Sequence, residues 1–239
     1  MDTPLKDPGK GQFYQFSPAS APAIDLGLRS FMLRVFNTMA GGLVLTGVVA
    51  YAASSSGLYA AIAGTPLLWL VMLAPFGLAL LLGFQLSRMS VVAAQASFWV
   101  YAALMGLSLA GIFLVYTGDS IARVFFISAG TFAATATWGY TTGTDLTRFG
   151  SFLMMGLIGI VLASLVNLFV GSSGLQFAVS VIGVLVFTGL TAWDTQRLKL
   201  MYLENGGAGN LAIQGALMLY LDFVNLFVSL LQLMGTRRG

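Results

Sequence analysis

Long uncharged apolar stretches, interrupted by short polar segments, set the architecture of this chain. No charged side chain occurs between Val35 and Ser87, nor between Phe149 and Trp193. An apolar run of about 20 residues crosses a bilayer as a helix, because hydrocarbon offers no partner to backbone N–H and C=O groups. The pattern predicts seven such helices, at 35–53, 66–86, 91–116, 121–141, 150–170, 175–193 and 211–234. The connections are short, as at Ser54-Ser55-Ser56-Gly57 and Gly171-Ser172-Ser173-Gly174, so successive helices are expected to run antiparallel in a compact bundle. No internal repeat supports an inverted-repeat transporter.

Composition agrees with this reading. Apolar residues make up 58% of the chain and charged ones 8%, where an ordinary soluble domain has about 25% charged. The fold class expected is therefore an all-α membrane protein, a seven-transmembrane helix bundle. Residues 1–26 hold four of the six prolines and are expected to form a disordered cytoplasmic tail; residues 27–239 form the membrane domain. The net charge of +3 comes from basic residues scattered at segment ends, with no stripe for nucleic acid. It fits the excess of Lys and Arg on cytoplasmic loops. An amino terminus inside puts Arg29, Arg34, Arg88, Arg148, Arg197 and Lys199 on the cytoplasmic side, with Arg123 outside. Arg237 and Arg238 then fall outside too, unless the last segment is re-entrant. Seven full spans are expected, because that segment is long enough to cross.

Two carboxylates stand out. Asp194 closes the sixth apolar run and Asp222 lies inside the seventh. An ionised acid at a helix centre costs about 2.5–3.5 kcal/mol to insert, so an intramembrane acid marks a functional site. Asp222 is placed about 16 Å deep at 1.5 Å per residue, and Asp194 near the cytoplasmic end. The two can meet if the helices tilt or their ends are staggered. Two like charges in a low-dielectric site do not both ionise readily, so such a pair titrates as a unit. With no histidine in the chain, proton sensing falls to carboxylates. The same oxygens are hard ligands suited to Ca²⁺. Other readings stay open: Asp194 with Arg197 as an interfacial helix pair, and Asp222 hydrogen-bonded to Asn225. Arg88 closes the second span on the Asp194 side, either as a bridge to that acid or as a plain positive-inside residue. Asn167 and Gln95 are expected to donate hydrogen bonds between helices. Cysteine is absent, which excludes thiolate metal sites.

Small-residue rows at Thr38, Gly42 and Thr46, at Ala129, Ala133 and Thr137, and at Gly159 with Ala163 predict close helix approaches. An intramembrane aspartyl protease is not supported, since Tyr220-Leu221 precedes Asp222 in place of Gly-x-Gly and no Pro-Ala-Leu follows. No enzyme is expected and no cofactor is called for.

The segments Thr188-Gly-Leu-Thr-Ala-Trp-Asp-Thr-Gln-Arg197 and Leu219-Tyr-Leu-Asp-Phe-Val-Asn-Leu-Phe227 resemble the Bax inhibitor-1 family, in a bacterial form. Trp138-Gly-Tyr-Thr-Thr142, Asp145-Leu-Thr147 and Asn167-Leu-Phe169 add to the likeness, which covers about Leu28 to Gly235. The resemblance implies a seven-helix fold with the last helix central and wrapped by the other six. It implies a pH-sensitive calcium leak in the inner membrane, with Asp194 and Asp222 as a di-aspartyl sensor and possible Ca²⁺ ligands. Arg88 is implied as a latch on the sixth-span acid; Arg197, Asn225 and Asn167 are expected, from their places in the chain, to be supporting polar groups. The family also includes proteins that bind and restrain a membrane protease, so a non-conducting regulator is the alternative. The second span, Pro66 to Leu86, lacks the acid that some members carry there.

Overall fold

The structure is a computed structural model and describes residues 21–207 and 209–239. The chain forms α1 (Ala21–Ser55), a short α2 (Leu58–Ala63), α3 (Leu67–Gln85), a 3-10 turn (Leu86–Arg88), α4 (Val91–Leu109), a one-turn α5 (Ile112–Val115), α6 (Gly118–Thr141), α7 (Thr147–Val170), α8 (Ser173–Asn205) and α9 (Leu211–Met234). Seven of these helices are long and apolar enough to cross a membrane. The described residues contain no β-strand, only an isolated bridge between Tyr116 and Arg237. The expected tail lies outside the described residues as far as residue 20. Helix α1 begins at Ala21, ahead of the expected boundary, with Pro22 in the first turn, where its missing N–H costs nothing.

Helix α9 is the core. Over an 18-residue apolar stretch it is 56% buried, against 0% for α7, whose buried residue is Gly150 near its start. It packs against α1, α4, α6, α8 and the 3-10 turn, while α3 lies on α4 and α7 on α8. The last helix is thus central, but its wrapping comes mainly from four helices and not six. The other two turn apolar side chains such as Phe84 and Phe169 outward, as lipid contact requires. Its two ends show that α9 runs from one end of the bundle to the other. Asn210 Nδ2 donates to the carbonyls of Leu86 and Met89 at one end of the bundle. At the opposite end Thr117 N–H donates to Thr236 O (3.0 Å) and Arg238 N–H to Val115 O (2.9 Å). This is the course of a full span and not that of a re-entrant segment, which would return to the end it entered. Arg238 also donates Nε–H to Tyr116 O at 3.1 Å, so it caps loop carbonyls there.

A hydroxyl knot fixes α1 to α4 and α9. Thr46 Oγ1 donates to Ala102 O (2.8 Å) and meets the Tyr220 hydroxyl at 2.6 Å, with both side chains buried. Gly42 lies one turn earlier against Phe98 and Tyr220, so the first small-residue row is a true packing seam. The other two rows are not. Ala129, Ala133 and Thr137 line an open groove between α1 and α6, and Gly159 faces no atom within 4 Å. Thr46→Val should strand the buried Tyr220 hydroxyl at a cost of about 1–3 kcal/mol. Combined with Tyr220→Phe, that loss should be largely recovered, a non-additivity that a double-mutant cycle in thermal melts measures.

Candidate functional site

Helix α8 does not stop at Trp193, where its apolar run ends. It continues to Asn205 and is closed by Gly206 at φ 65°, whose N–H bonds Tyr202 O. This extension corrects the depth of Asp194. The acid lies eleven residues before the end of α8, and Asp222 lies eleven residues after the start of α9. Each is therefore about 16 Å from the turn between the two helices at 1.5 Å per residue. No stagger or tilt is needed. The hairpin sets the two carboxyls level and side by side, close enough to interact directly.

Both acids are buried, with Asp194 8% and Asp222 4% exposed. Two like charges so placed do not both ionise readily, which favours one proton shared between the two groups. One oxygen of each, Asp194 Oδ1 and Asp222 Oδ2, is buried and finds no hydrogen-bond partner among the described residues. Buried polar atoms are rarely left so. Below the pair in the chain, Thr191 and Thr195 turn their hydroxyls back onto the carbonyls of Phe187 (2.8 Å) and Thr191 (2.6 Å).

The surrounding cations stand back. Arg197, three residues along α8, is the positive charge felt by Asp194, yet its guanidinium lies 5.3 Å from the centroid of the Trp193 ring. Lys199 donates to Tyr140 O at 3.1 Å and sits 5.4 Å from that ring. Arg88 is exposed on the 3-10 turn. No Lys or Arg nitrogen lies within 4.0 Å of a carboxylate oxygen among the described residues. The expected Arg88–Asp194 bridge is not formed in this conformation, because Asn210 holds the Arg88 turn at the end of α9 while Asp194 lies farther in. Asn225 shares the Asp222 face of α9 and gives its amide to Leu221 O (2.8 Å), so it is not the partner of Asp222. Asn167 is not brought to the acids. It accepts from Ser172 N–H (2.9 Å) and fixes the α7–α8 turn. Gln95 is exposed on α4.

Sequence reasoning missed the residues that position the pair. Gln196 accepts from Leu146 N–H (2.9 Å) and donates to Thr144 O (2.8 Å), which ties the α6–α7 loop to α8 two residues from Asp194. Gly139 lets α6 come against the backbone of Ala192, and Gly150 lets α7 come against the Trp193 ring. In the loop, hydrogen bonds from Thr147, more than the charge of Arg148, hold the Asp145 carboxyl below the usual carboxylate range. The Gln196 and Trp193 positions were within the resembled motif, which was the available signal.

Residues 28–239 match the family described as "Inhibitor of apoptosis-promoting Bax1". The chain belongs to the Bax inhibitor-1 family. It is 50% identical over 218 residues to an uncharacterized protein of Rickettsia prowazekii, covering 90% of this chain and 92% of that one. It is 45% identical over 219 residues to the inner membrane protein YbhL of Escherichia coli, covering 89% and 94%. An uncharacterized membrane protein of Streptococcus pyogenes is 36% identical over 222 residues, covering 88% and 94%. As a Bax inhibitor-1 protein with seven apolar helices, the chain is a multi-pass membrane protein.

Proposed function

We propose that this Bax inhibitor-1 protein is a pH-gated cation leak of the bacterial inner membrane, its amino terminus cytoplasmic, passing Ca²⁺ under control of the Asp194–Asp222 pair. One observation carries the reading: two carboxyls meet inside an apolar bundle and each keeps an oxygen without a partner. Hard oxygens of this kind suit Ca²⁺, which takes 6–8 oxygen ligands when held firmly. No third Asp or Glu joins them among the described residues, so the pair fits transit better than storage.

The proton decides the state. While the pair shares one, Asp194 has its partner and Arg88 stays at the surface. Loss of that proton leaves Asp194 an anion with a repelled neighbour, drawing the cations of that end inward. Arg88 carries the end of α3 with it when it moves, whereas Arg197 moves only its own side chain. Ca²⁺ flux from proteoliposomes should accordingly fall as pH is raised from about 6 to about 8. Asp222→Asn, which cannot share a proton in the same way, should flatten that dependence. Arg88→Gln should keep flux high at the alkaline end. Identical profiles for wild type and Asp222→Asn would remove the gate; an unchanged Arg88→Gln profile would transfer the latch role to Arg197.

A further inference from the structure

The acid pair is the inner end of a polar seam that runs between α8 and α9 to the far end of the bundle. On α9, Asp222, Asn225, Ser229 and Gln232 follow at spacings of three, four and three, which is one face of a helix. On α8, Thr191, Thr188 and Ser180 answer them. Three rungs fix the antiparallel register. Asp194 meets Asp222, a Cβ on Gly183 would lie 2.6 Å from Ser229 Oγ, and Ser180 Oγ lies 2.8 Å from Gln232 Oε1, its one hydrogen shared between that oxygen and Gln176 O. That register sets Thr188 level with Asn225. Polar side chains inside a membrane protein are costly and gather along functional paths. Eight on one interface, counting Asp194, go beyond what two helices need to associate.

The orientation of the donors tells which ion the seam suits. Asn225 Nδ2 is bonded to Leu221 O, Ser229 Oγ–H to Asn225 O, and Thr191 Oγ1–H to Phe187 O. With these hydrogens turned back onto the helix backbones, Asn225 Oδ1 and the hydroxyl lone pairs remain for the interface, while one Asn225 amide hydrogen is left over and Gln232 Oε1 is engaged by Ser180. Thr188 Oγ1 is buried and has no partner among the described residues. A row of oxygen acceptors ending on two acids is a cation's environment. Two other cavities among the described residues are not. The cavities of about 290 and 600 Å³ between α1 and α6 end on Phe223, with Leu43 and Phe125 in both walls.

We infer that the Thr188–Asn225–Ser229–Gln232 seam between α8 and α9 is the route by which a cation passes between the acid pair and the far end of the bundle. The inference rests on the proposed leak and names its path. The rungs touch in this structure, so passage requires α8 and α9 to part by the width of an ion.

The absence of cysteine from the natural chain makes a direct test available. Ser229→Cys, nearly the same size, is reconstituted in vesicles at the conducting pH and exposed to a cationic and to an anionic methanethiosulfonate. Ser128→Cys, on α6 and fully buried, is the control. The seam predicts modification at residue 229 but not 128, with the cationic reagent faster by about ten-fold, and loss of Ca²⁺ flux on modification. Asn225→Leu, at a half-buried position, should lower flux by about ten-fold with an unchanged melting temperature. Failure of residue 229 to react, while wild-type flux and its Asp222 dependence persist, would refute the route and leave the leak standing. Reaction at residue 229 in a protein that passes no Ca²⁺ would instead refute the leak reading and keep a hydrated cation-selective seam.

Discussion

Gly139→Val is expected to lower stability by about 3 kcal/mol, the upper range for forcing volume into a packed site. In a chain of this size that corresponds to a melting temperature lower by about 6–12 °C. The size of the effect follows from what the new carbon would meet. A Cβ at residue 139 falls against the Cα, carbonyl carbon and oxygen of Ala192, all of them backbone. No rotamer can relieve that contact, so α6 and α8 must separate. Gly159→Val is the matched control, because nothing lies within 4 Å of its Cβ. That variant should melt within about 1 °C of wild type, as exposed substitutions away from special features do. Equal melting of the two variants, read by tryptophan fluorescence in detergent, would show that the α6–α8 contact is looser than described. The displacement also bears on the site, since Ala192 is two residues from Asp194. A partly folded Gly139→Val protein should therefore also show a disturbed pH dependence of flux.

The contrast between these glycines shows what the chain discloses by itself. Apolar runs located all seven spans, because hydrocarbon imposes length and polarity on every crossing segment. The same rule misjudged α8. Charge at Asp194, Arg197 and Lys199 ended the apolar run, but these residues do not end a helix; a left-handed glycine at Gly206 does. The depth of Asp194 was therefore misplaced until the position of the hairpin turn was known. Small-residue spacing named Gly42 and Gly159 alike, yet only the first faces another helix, and spacing carries no information on which face is turned inward. Asn167 and Arg88 were selected for polarity near the right segments. Both are taken up by turn geometry or by the surface, because an Asn near a helix end serves the local backbone first. The acid pair itself was legible. Its rarity in such a chain is the signal, and the mirror spacing about the α8–α9 turn explains why the two acids meet.

Asp222→Leu should cost about 1–3 kcal/mol, and Asp194→Leu/Asp222→Leu should restore most of it. The single substitution leaves the Asp194 carboxyl facing carbon at a site 8% exposed, with neither its proton-sharing partner nor water. That stranded group carries the cost, since leucine itself suits the surroundings of Phe223, Leu219 and Leu226. Removing both acids removes the stranded group as well. Replacing a complete buried polar pair by apolar side chains is often neutral or stabilising, whereas breaking it is not. Asp222→Asn is the intermediate case, because its amide can donate to Asp194 and keep the contact. The order of stability expected in thermal melts is thus double leucine close to wild type, asparagine slightly below, and single leucine lowest. Additive losses in the double variant would mean that the carboxyls act independently and would remove the shared proton. Flux should follow a different order, with both leucine variants silent, since an apolar pair offers a cation no oxygen. A protein that is stable, folded and closed to Ca²⁺ would separate what the two acids contribute to the bundle from what they do for the ion.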